Sequence, residues 1–254
     1  MTARGLGWRP DHTHPELGAA QLPHKAAAIP EAVSLHGLCD VIDQAQASSC
    51  PANAYAGAML LWMRAHGMSD AKRPSDRWLY KHARELDEHE GRGGLATDDD
   101  GTFSSSIAKV INTVGWPIDA SWPWDPATVN EGIPDRVRRE AHDQIHGVER
   151  YALWAPTRED VQEAFCANNG SPILTAMYVD SAFMDCRDFK PLSLDGRAVG
   201  GHMVFICGYD RDGVIICNSH GIRFGVGGFC RVSWEALPRL LETTAIRGVR
   251  RATS

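Results

Sequence analysis

A cysteine stands at the start of a helical pattern, in surroundings that suit a reactive thiol. Cys50 lies in the stretch QAQASSCPANA, directly before Pro51. Proline suits the first position of a helix, because its missing N–H needs no partner there. The unpaired N–H groups and the dipole at a helix N-terminus favour a thiolate at the N-cap. Cys50 is therefore a candidate nucleophile and Gln44, six residues upstream, a candidate oxyanion donor; the alternative is a buried structural cysteine beside a solvated loop.

A nucleophilic cysteine also needs a base and a group that orients the base. His202 and Asn218 are candidates, since they stand at the start of one predicted strand and at the end of the next. A turn centred near Asp210 would bring them side by side, whereas a turn centred on Asp212 would miss by about one residue pair and require a bulge. Taken singly, each residue has an ordinary alternative explanation. His202 could be a structural or surface histidine, and Asn218 could be a turn residue.

The elements that must position these residues change in character along the chain. Apolar residues at helical spacing predict helices over 51–66, 76–88, 104–113, 135–146 and 157–168. After residue 170, short β-branched and aromatic runs predict strands in PILTAMYV, GHMVFICGY, GVIICNS and GFCRVSW. Helices followed by strands predict an α+β fold with two lobes. We expect an N-terminal arm at 1–38 packed on the body, a mainly helical lobe at 39–150 and a mainly β lobe at 151–254.

Composition narrows the classes of function. The chain has 254 residues, of which 43% are hydrophobic and 23% charged, as in ordinary globular proteins. Its formal net charge is −6 and no run of Lys and Arg is dense, which argues against a nucleic-acid partner. No segment approaches the ~18 apolar residues of a membrane span, and no signal peptide is seen. We therefore expect a cytoplasmic protein with no membrane partner.

The cysteines and histidines indicate neither disulfides nor a metal. The seven cysteines are odd in number and irregularly spaced, so we expect reduced thiols. No four ligands show the spacing of a zinc site, although His12 and His14 could bind metal adventitiously. No cofactor is expected.

The joint pattern resembles the papain-like cysteine peptidases. That family places its His and Asn roughly 130–150 residues after the Cys, and here they follow Cys50 by 152 and 168 residues. DQAQASSCPANA is similar to the family's nucleophile stretch, GGHMVFICGYD to its histidine strand and IICNSHG to its asparagine strand. DDDGTFSSSIAKVINTVGWPIDASWPW is similar to the substrate lip with its helix, and GLGWRPD to the opening of bacterial intracellular members. The resemblance implies a papain-like two-lobed fold, with a central helix carrying the Cys and an antiparallel β-barrel-like lobe carrying His and Asn.

The resemblance also implies a role for each candidate. Cys50 would be the nucleophile, forming a thioester acyl-enzyme, and His202 an imidazolium partner that then acts as general acid and base. Asn218 would orient His202, while the Gln44 side-chain amide and the Cys50 N–H would form the oxyanion hole. The implied substrate-binding positions are Asp100, Gly101 and Gly201.

Some positions depart from the family pattern. Pro51 stands where the family commonly has Trp or Thr, and His220 replaces a Trp that shields the His–Asn hydrogen bond. About 49 residues precede Cys50, so we expect no long inhibitory propeptide of the kind that secreted members carry. Control is therefore expected from substrate selectivity, an occluding loop or an unidentified regulatory partner.

Three functions fit these residues. The first is a peptidase acting on a peptide or protein substrate. The second is another acyl transfer by the same triad, such as transglutamination or amide hydrolysis, and the third is a papain-like binding module without turnover. The acidic stretch TDDDGT, with Asp98, Asp99 and Asp100, is either a solvated loop or a cleft feature that favours Lys or Arg near the scissile bond.

Overall fold

The helices form largely where the periodicity places them. The computed structural model describes residues 4–11, 29–143, 147–153, 156–167 and 170–250. His12, His14 and the last residues of the fourth and fifth predicted helices lie outside these ranges. The described helices are α1 Cys50–Ala65, α2 Asp76–His89, α3 Ser104–Thr113, α4 Asp135–Asp143, α5 Arg158–Ala167 and the short, unpredicted α6 Ser181–Met184. The five predicted helices are confirmed where they are described.

A large, mostly antiparallel sheet takes up the later part of the chain. The described strands are β1 Trp8–Arg9, β2 Val33–Ser34, β3 Thr102–Phe103, β4 Gly147–Ala152, β5 Ile173–Val179, β6 Pro191–Leu192, β7 Gly200–Asp210, β8 Gly213–Cys217, β9 Phe229–Ser233 and β10 Leu240–Arg250. The sheet order is β4-β10-β5-β7-β8-β9-β6, with β2 also paired to β7, and β1 pairs with β3 separately. The four predicted strands correspond to β5, β7, β8 and β9. Because β4 and β6 end the order, the described strands form no closed barrel.

Helix α1 is central because every side is covered. All its residues from Cys50 to Met63 are buried. Gly57 allows strand β7 to approach, since a Cβ there would lie 2.5 Å from the ring of Phe205. Along β7, Met203 and Phe205 belong to the core around α1, while the alternate residue Val204 belongs to a second core beyond the sheet. This is an α+β fold in which α1 packs on one face of the sheet and α5 belongs to the core on the other face. The boundary between 39–150 and 151–254 stays a prediction.

Candidate active site

Cys50 begins the central helix and is wholly enclosed. It is the first residue of α1, which begins one residue earlier than predicted, and Ser49 is the N-cap. Its side chain is 0% exposed. The Sγ accepts a hydrogen bond from the backbone N–H of Gly7 at 3.3 Å. It also meets the backbone amide of Met203, the residue directly after His202. The start of α1 and the start of β7 therefore face one another at this thiol.

The β7–β8 hairpin brings the candidate base and its orienting group together. The turn lies at Arg211 and Asp212, and the strand register shifts at Cys207. This is the bulge predicted for a turn near Asp212. As a result His202 Nε2 lies 2.8 Å from Asn218 Oδ1. An amide oxygen only accepts, so Nε2 carries the hydrogen and Nδ1 holds a lone pair; among the described atoms that Nδ1 has no hydrogen-bond partner.

Aromatic rings shield this histidine from water. His202 is 0% exposed. The ring of Phe183 meets it edge-on, with the ring centres 5.7 Å apart. On another side the ring of His220 is tilted against it at 4.8 Å, and Phe224 packs edge-on against His220 in turn. His220 therefore covers the His202 ring, although it is smaller and more polar than the Trp of the family pattern.

The predicted oxyanion donor already has a partner. Gln44 Nε2 donates to the carbonyl oxygens of Ala47 at 2.6 Å and of Gly5 at 3.0 Å. Its Oε1 accepts from the Ser219 hydroxyl, and its backbone N–H donates to Ser219 O at 2.8 Å. Gln44 is thus held beside the loop that follows Asn218. One of the two carbonyl oxygens that its amide N–H groups meet, that of Gly5, comes from the chain's own N-terminal region.

Residues 4–11, called the covering segment below, lie over Cys50. The Gly7 carbonyl accepts a hydrogen bond from the Thr102 N–H at 3.0 Å. The next residues, β1, pair in parallel with β3. Gly101 allows this approach, because a Cβ there would lie 2.1 Å from Gly7 O and its φ is +94°. The segment therefore follows the lip that the resemblance assigns to substrate.

The three predicted substrate-binding positions all meet this segment. Gly101 packs on Gly7, as described above. A Cβ at Gly201 would lie 2.7 Å from the Trp8 ring, and the Asp100 carboxylate lies 3.6 Å from the Arg9 guanidinium. The neighbouring Asp99 differs, because it accepts hydrogen bonds from Ser48 N–H and the Tyr80 hydroxyl. The acidic loop is thus partly a structural brace, and Asp100 is the carboxylate that meets a basic side chain of the segment.

Enclosure leaves the thiol and the imidazole neutral. Burial raises the pKa of Cys50 to about 11, against the smaller opposing effect of backbone hydrogen bonds from Gly7 and Met203. Burial likewise lowers the pKa of His202 to about 4, although its hydrogen bond to Asn218 acts in the opposite direction. The thiolate beside an imidazolium, which the resemblance implies, therefore stays a prediction for the uncovered protein, because burial disfavours both charges in the covered state.

The covering segment itself was missed from the sequence. We expected control from elsewhere, yet a short stretch suffices to enclose Cys50. The available indication was the GLG of residues 5–7. A Cβ at Gly5 would lie 2.0 Å from Ala47 O, and one at Gly7 would lie 1.7 Å from Ser48 O. Only residues without side chains can pass at these two points.

Three observations apply to the described residues only. All seven cysteines fall within them and are free, as the irregular spacing indicated. No cluster of three or more potential metal-binding His, Cys, Asp or Glu side chains occurs in the described ranges. Within those same ranges, none of the helices has both the length and the apolar character needed to cross a bilayer.

Solved structures decide which fold this is. Xylellain, a cysteine protease from Xylella fastidiosa, matches with a TM-score of 0.82 over 97% of this chain and 97% of its own, at 22% sequence identity. This is the papain-like fold. The same papain-like fold is found in digestive procathepsin L 3 of Tenebrio molitor larval midgut, with a TM-score of 0.67 and 15% identity over 91% of this chain and 75% of that one. Bromelain from Ananas comosus, in complex with the E64 inhibitor, matches with a TM-score of 0.60 and 15% identity over 89% of this chain and 100% of its own.

Comparison of the sequence with known families and curated proteins gives no match. No family model matches the chain, and no curated protein matches it either. At identities this low the structural likeness establishes the fold, and the chemistry has to be argued from the residues of this chain.

Proposed function

We propose that the protein is a cysteine peptidase that hydrolyses peptide bonds with Cys50, His202 and Asn218, and that its covering segment holds it inactive. The single observation that carries this is the hydrogen bond between His202 Nε2 and Asn218 Oδ1 at 2.8 Å. It leaves the Nδ1 lone pair of His202 free to act as a base. The next residue on the same strand, Met203, meets the Cys50 thiol through its backbone amide. The fold shared with cysteine proteases supports the same chemistry.

Departure of the covering segment would activate the thiol. Burial is the largest cause of the raised pKa of Cys50 and of the lowered pKa of His202. Readmitting water relaxes both shifts, so that His202 Nδ1 can take the thiol proton. The position of Cys50 at the start of α1 then stabilises the thiolate.

The reaction follows from the groups that line the uncovered cleft. The thiolate attacks the scissile carbonyl carbon, and the C=O electrons move to the oxygen. The Gln44 amide, released from Gly5 O, and the Cys50 N–H stabilise that oxyanion; one such donor is typically worth about 2.7–4 kcal/mol. His202 returns the proton to the leaving amine as the C–N bond breaks. Water, activated by the same histidine, then hydrolyses the thioester.

The covering segment is arranged as an inhibitor, and it would not be a substrate. The groups of the segment that meet Cys50 Sγ are the backbone N–H groups of Gly7 and Trp8, which are hydrogen-bond donors. The nearby carbonyl oxygen of Gly7 is held by Thr102 N–H, and that of Gly5 by Gln44. The thiol is thus surrounded by paired backbone groups, and the segment can bind tightly without being cut.

A covalent probe and a peptide library test this function. Full-length wild type should react slowly with an epoxide probe at Cys50, and the Cys50→Ala variant should not react. A peptide library read by mass spectrometry should then yield cleaved products with wild type alone. Labelling without cleavage would point to another acyl transfer, and neither labelling nor cleavage would point to a binding module; both results contradict the proposal.

A further inference from the structure

The far end of the covering segment is held by a carboxylate site. The Asp11 carboxylate, whose side chain is 7% exposed, pairs with the Arg92 guanidinium and accepts from the Ser105 hydroxyl. Arg92 is itself positioned, because its Nη2 donates to Ser105 Oγ at 3.1 Å and its Nη1 to Ser106 Oγ at 3.3 Å. Its guanidinium also lies 4.4 Å above the ring of Phe103, which belongs to the lip. The site is therefore a preorganised fork for a carboxylate.

A cavity opens beside this site. Its volume is about 520 Å³. Arg92 lines it together with two further cations, Lys109 and Arg150, while Glu242 supplies an acidic wall. Its apolar lining comes from Ala108, Ala152, Leu153, Pro238, Leu240 and Leu241. Because Asp11 is one of its walls, departure of the segment would join this cavity to the cleft.

We propose that Arg92, with Ser105, is a specificity determinant that selects substrates with an acidic residue a few positions from the scissile bond. This rests on the proposed peptidase function. Trp8 and Arg9 pair with the lip at Thr102–Phe103, so the segment runs from Cys50 along the lip that the resemblance assigns to substrate. Asp11 lies three residues beyond Trp8, within about 10 Å for an extended chain. A substrate Asp or Glu reaching that point replaces the Asp11 carboxylate.

The other charges near Arg92 leave room for this role. Glu90 lies 3.5 Å from Arg92 Nη1, whereas the hydrogen bond to Asp11 is donated by Nη2. Glu242 faces the segment too, but it accepts from the backbone N–H of Asp11 at 2.9 Å and from Trp8 Nε1 at 3.1 Å. Arg92 Nη2 is thus the guanidinium nitrogen that meets the segment's carboxylate.

This preference can be measured on the full-length protein with matched pairs of peptides. Pairs that differ only by Asp against Asn at one position are scanned along both sides of the scissile bond, and kcat/KM is measured for each pair. The ratio within one enzyme preparation is independent of the folded fraction and of how often the segment opens. Wild type should prefer Asp by about tenfold at one position, equivalent to about 1.4 kcal/mol, as expected for a charge-assisted hydrogen bond.

Variants distinguish recognition by Arg92 and Ser105 from a general effect of positive charge in the cavity. Arg92→Gln should lower the ratio to about one, and Ser105→Ala should lower it part of the way. Lys109→Gln, which removes another cation from the same cavity, should keep the tenfold ratio, and so should Asp11→Asn, which only loosens the segment. An unchanged ratio in Arg92→Gln overturns the inference, and so does a ratio of one at every position in wild type that cleaves peptides. If no variant cleaves any peptide and no probe labels Cys50, the peptidase function itself fails.

Discussion

Replacing Gly7 with alanine should release the covering segment and raise the activity of the protein. The new Cβ would lie 1.7 Å from the carbonyl oxygen of Ser48 and 2.3 Å from its carbonyl carbon. Both are backbone atoms that lead directly into α1, so they cannot swing aside as a flexible side chain can. The covered state therefore has to lose contact at Gly7, whereas the open state accommodates alanine without cost.

The magnitude follows from the size of this clash. Overpacking by one methyl group typically costs about 1–3 kcal/mol. Backbone against backbone belongs at the upper end, and the same displacement weakens the Gly7 bonds to Cys50 Sγ and from Thr102 N–H. A cost of about 2.8 kcal/mol multiplies the open fraction by about 100. Turnover should rise by that factor, or until the open state predominates.

The assay is the rate of epoxide labelling at Cys50, measured beside peptide turnover. Gly37→Ala is the matched control, because a Cβ at Gly37 meets no atom within 4 Å. Gly7→Ala should label and turn over faster by the same factor, while Gly37→Ala should match wild type. Circular dichroism establishes that each variant is folded. Equal labelling rates in folded Gly7→Ala and wild type would refute the idea that the segment limits access.

Three further predictions concern the site itself. Cys50→Ala should abolish turnover, and Asn218→Ala should lower kcat less than His202→Ala, because the amide orients the base and transfers no proton; kcat for the three variants ranks them. Acid should open the covered state. Burial lowers the pKa of His202 to about 4 and that of His220 to about 2, from 6.5. The stability that these two neutral histidines give to the covered state is therefore complete above pH 6.5 and is lost as pH falls towards 4. Amide-exchange protection of the covering segment should fall over that range, and a flat profile contradicts this. Glu242→Gln should weaken the charge-assisted hydrogen bonds to the segment by about 1 kcal/mol, so labelling should rise roughly fivefold; an unchanged rate means that this carboxylate does not hold the segment.

Local pattern was enough to predict the elements that carry the catalytic candidates. Proline after Cys50 marks the start of α1, and α3 begins and ends where its periodicity does. The bulge at Cys207 could be anticipated because the spacing of His202 and Asn218 did not suit a turn near Asp212 without one. These are short-range properties, which periodicity and turn chemistry register directly.

What could not be predicted depends on contacts between distant parts of the chain. Strand β10, LLETTAIRGVR, breaks its alternation and changes register near Glu242, a residue at φ +46°, so no period-two pattern identifies it. The covering segment has no periodicity at all, and its partners lie 43 residues away at Cys50 and 234 away at Glu242. That enclosure raises the pKa of Cys50, an effect that the position at a helix start could not indicate.

The loop at Gln44 and the loop after Asn218 are joined into one body, and this decides how the site opens. Gln44 N–H donates to Ser219 O and Gly221 N–H to Ile42 O, both at 2.8 Å, and Asp43 forms a backbone bridge with His220. Separating these loops would take apart the oxyanion donor and the base together. Access to Cys50 then depends on a single first-order event, the lifting of the covering segment. Labelling should accelerate with probe concentration only until capture outpaces reclosing, and the plateau is the opening rate itself. Above that concentration the segment, and not the amount of substrate, sets the pace of the first turnover.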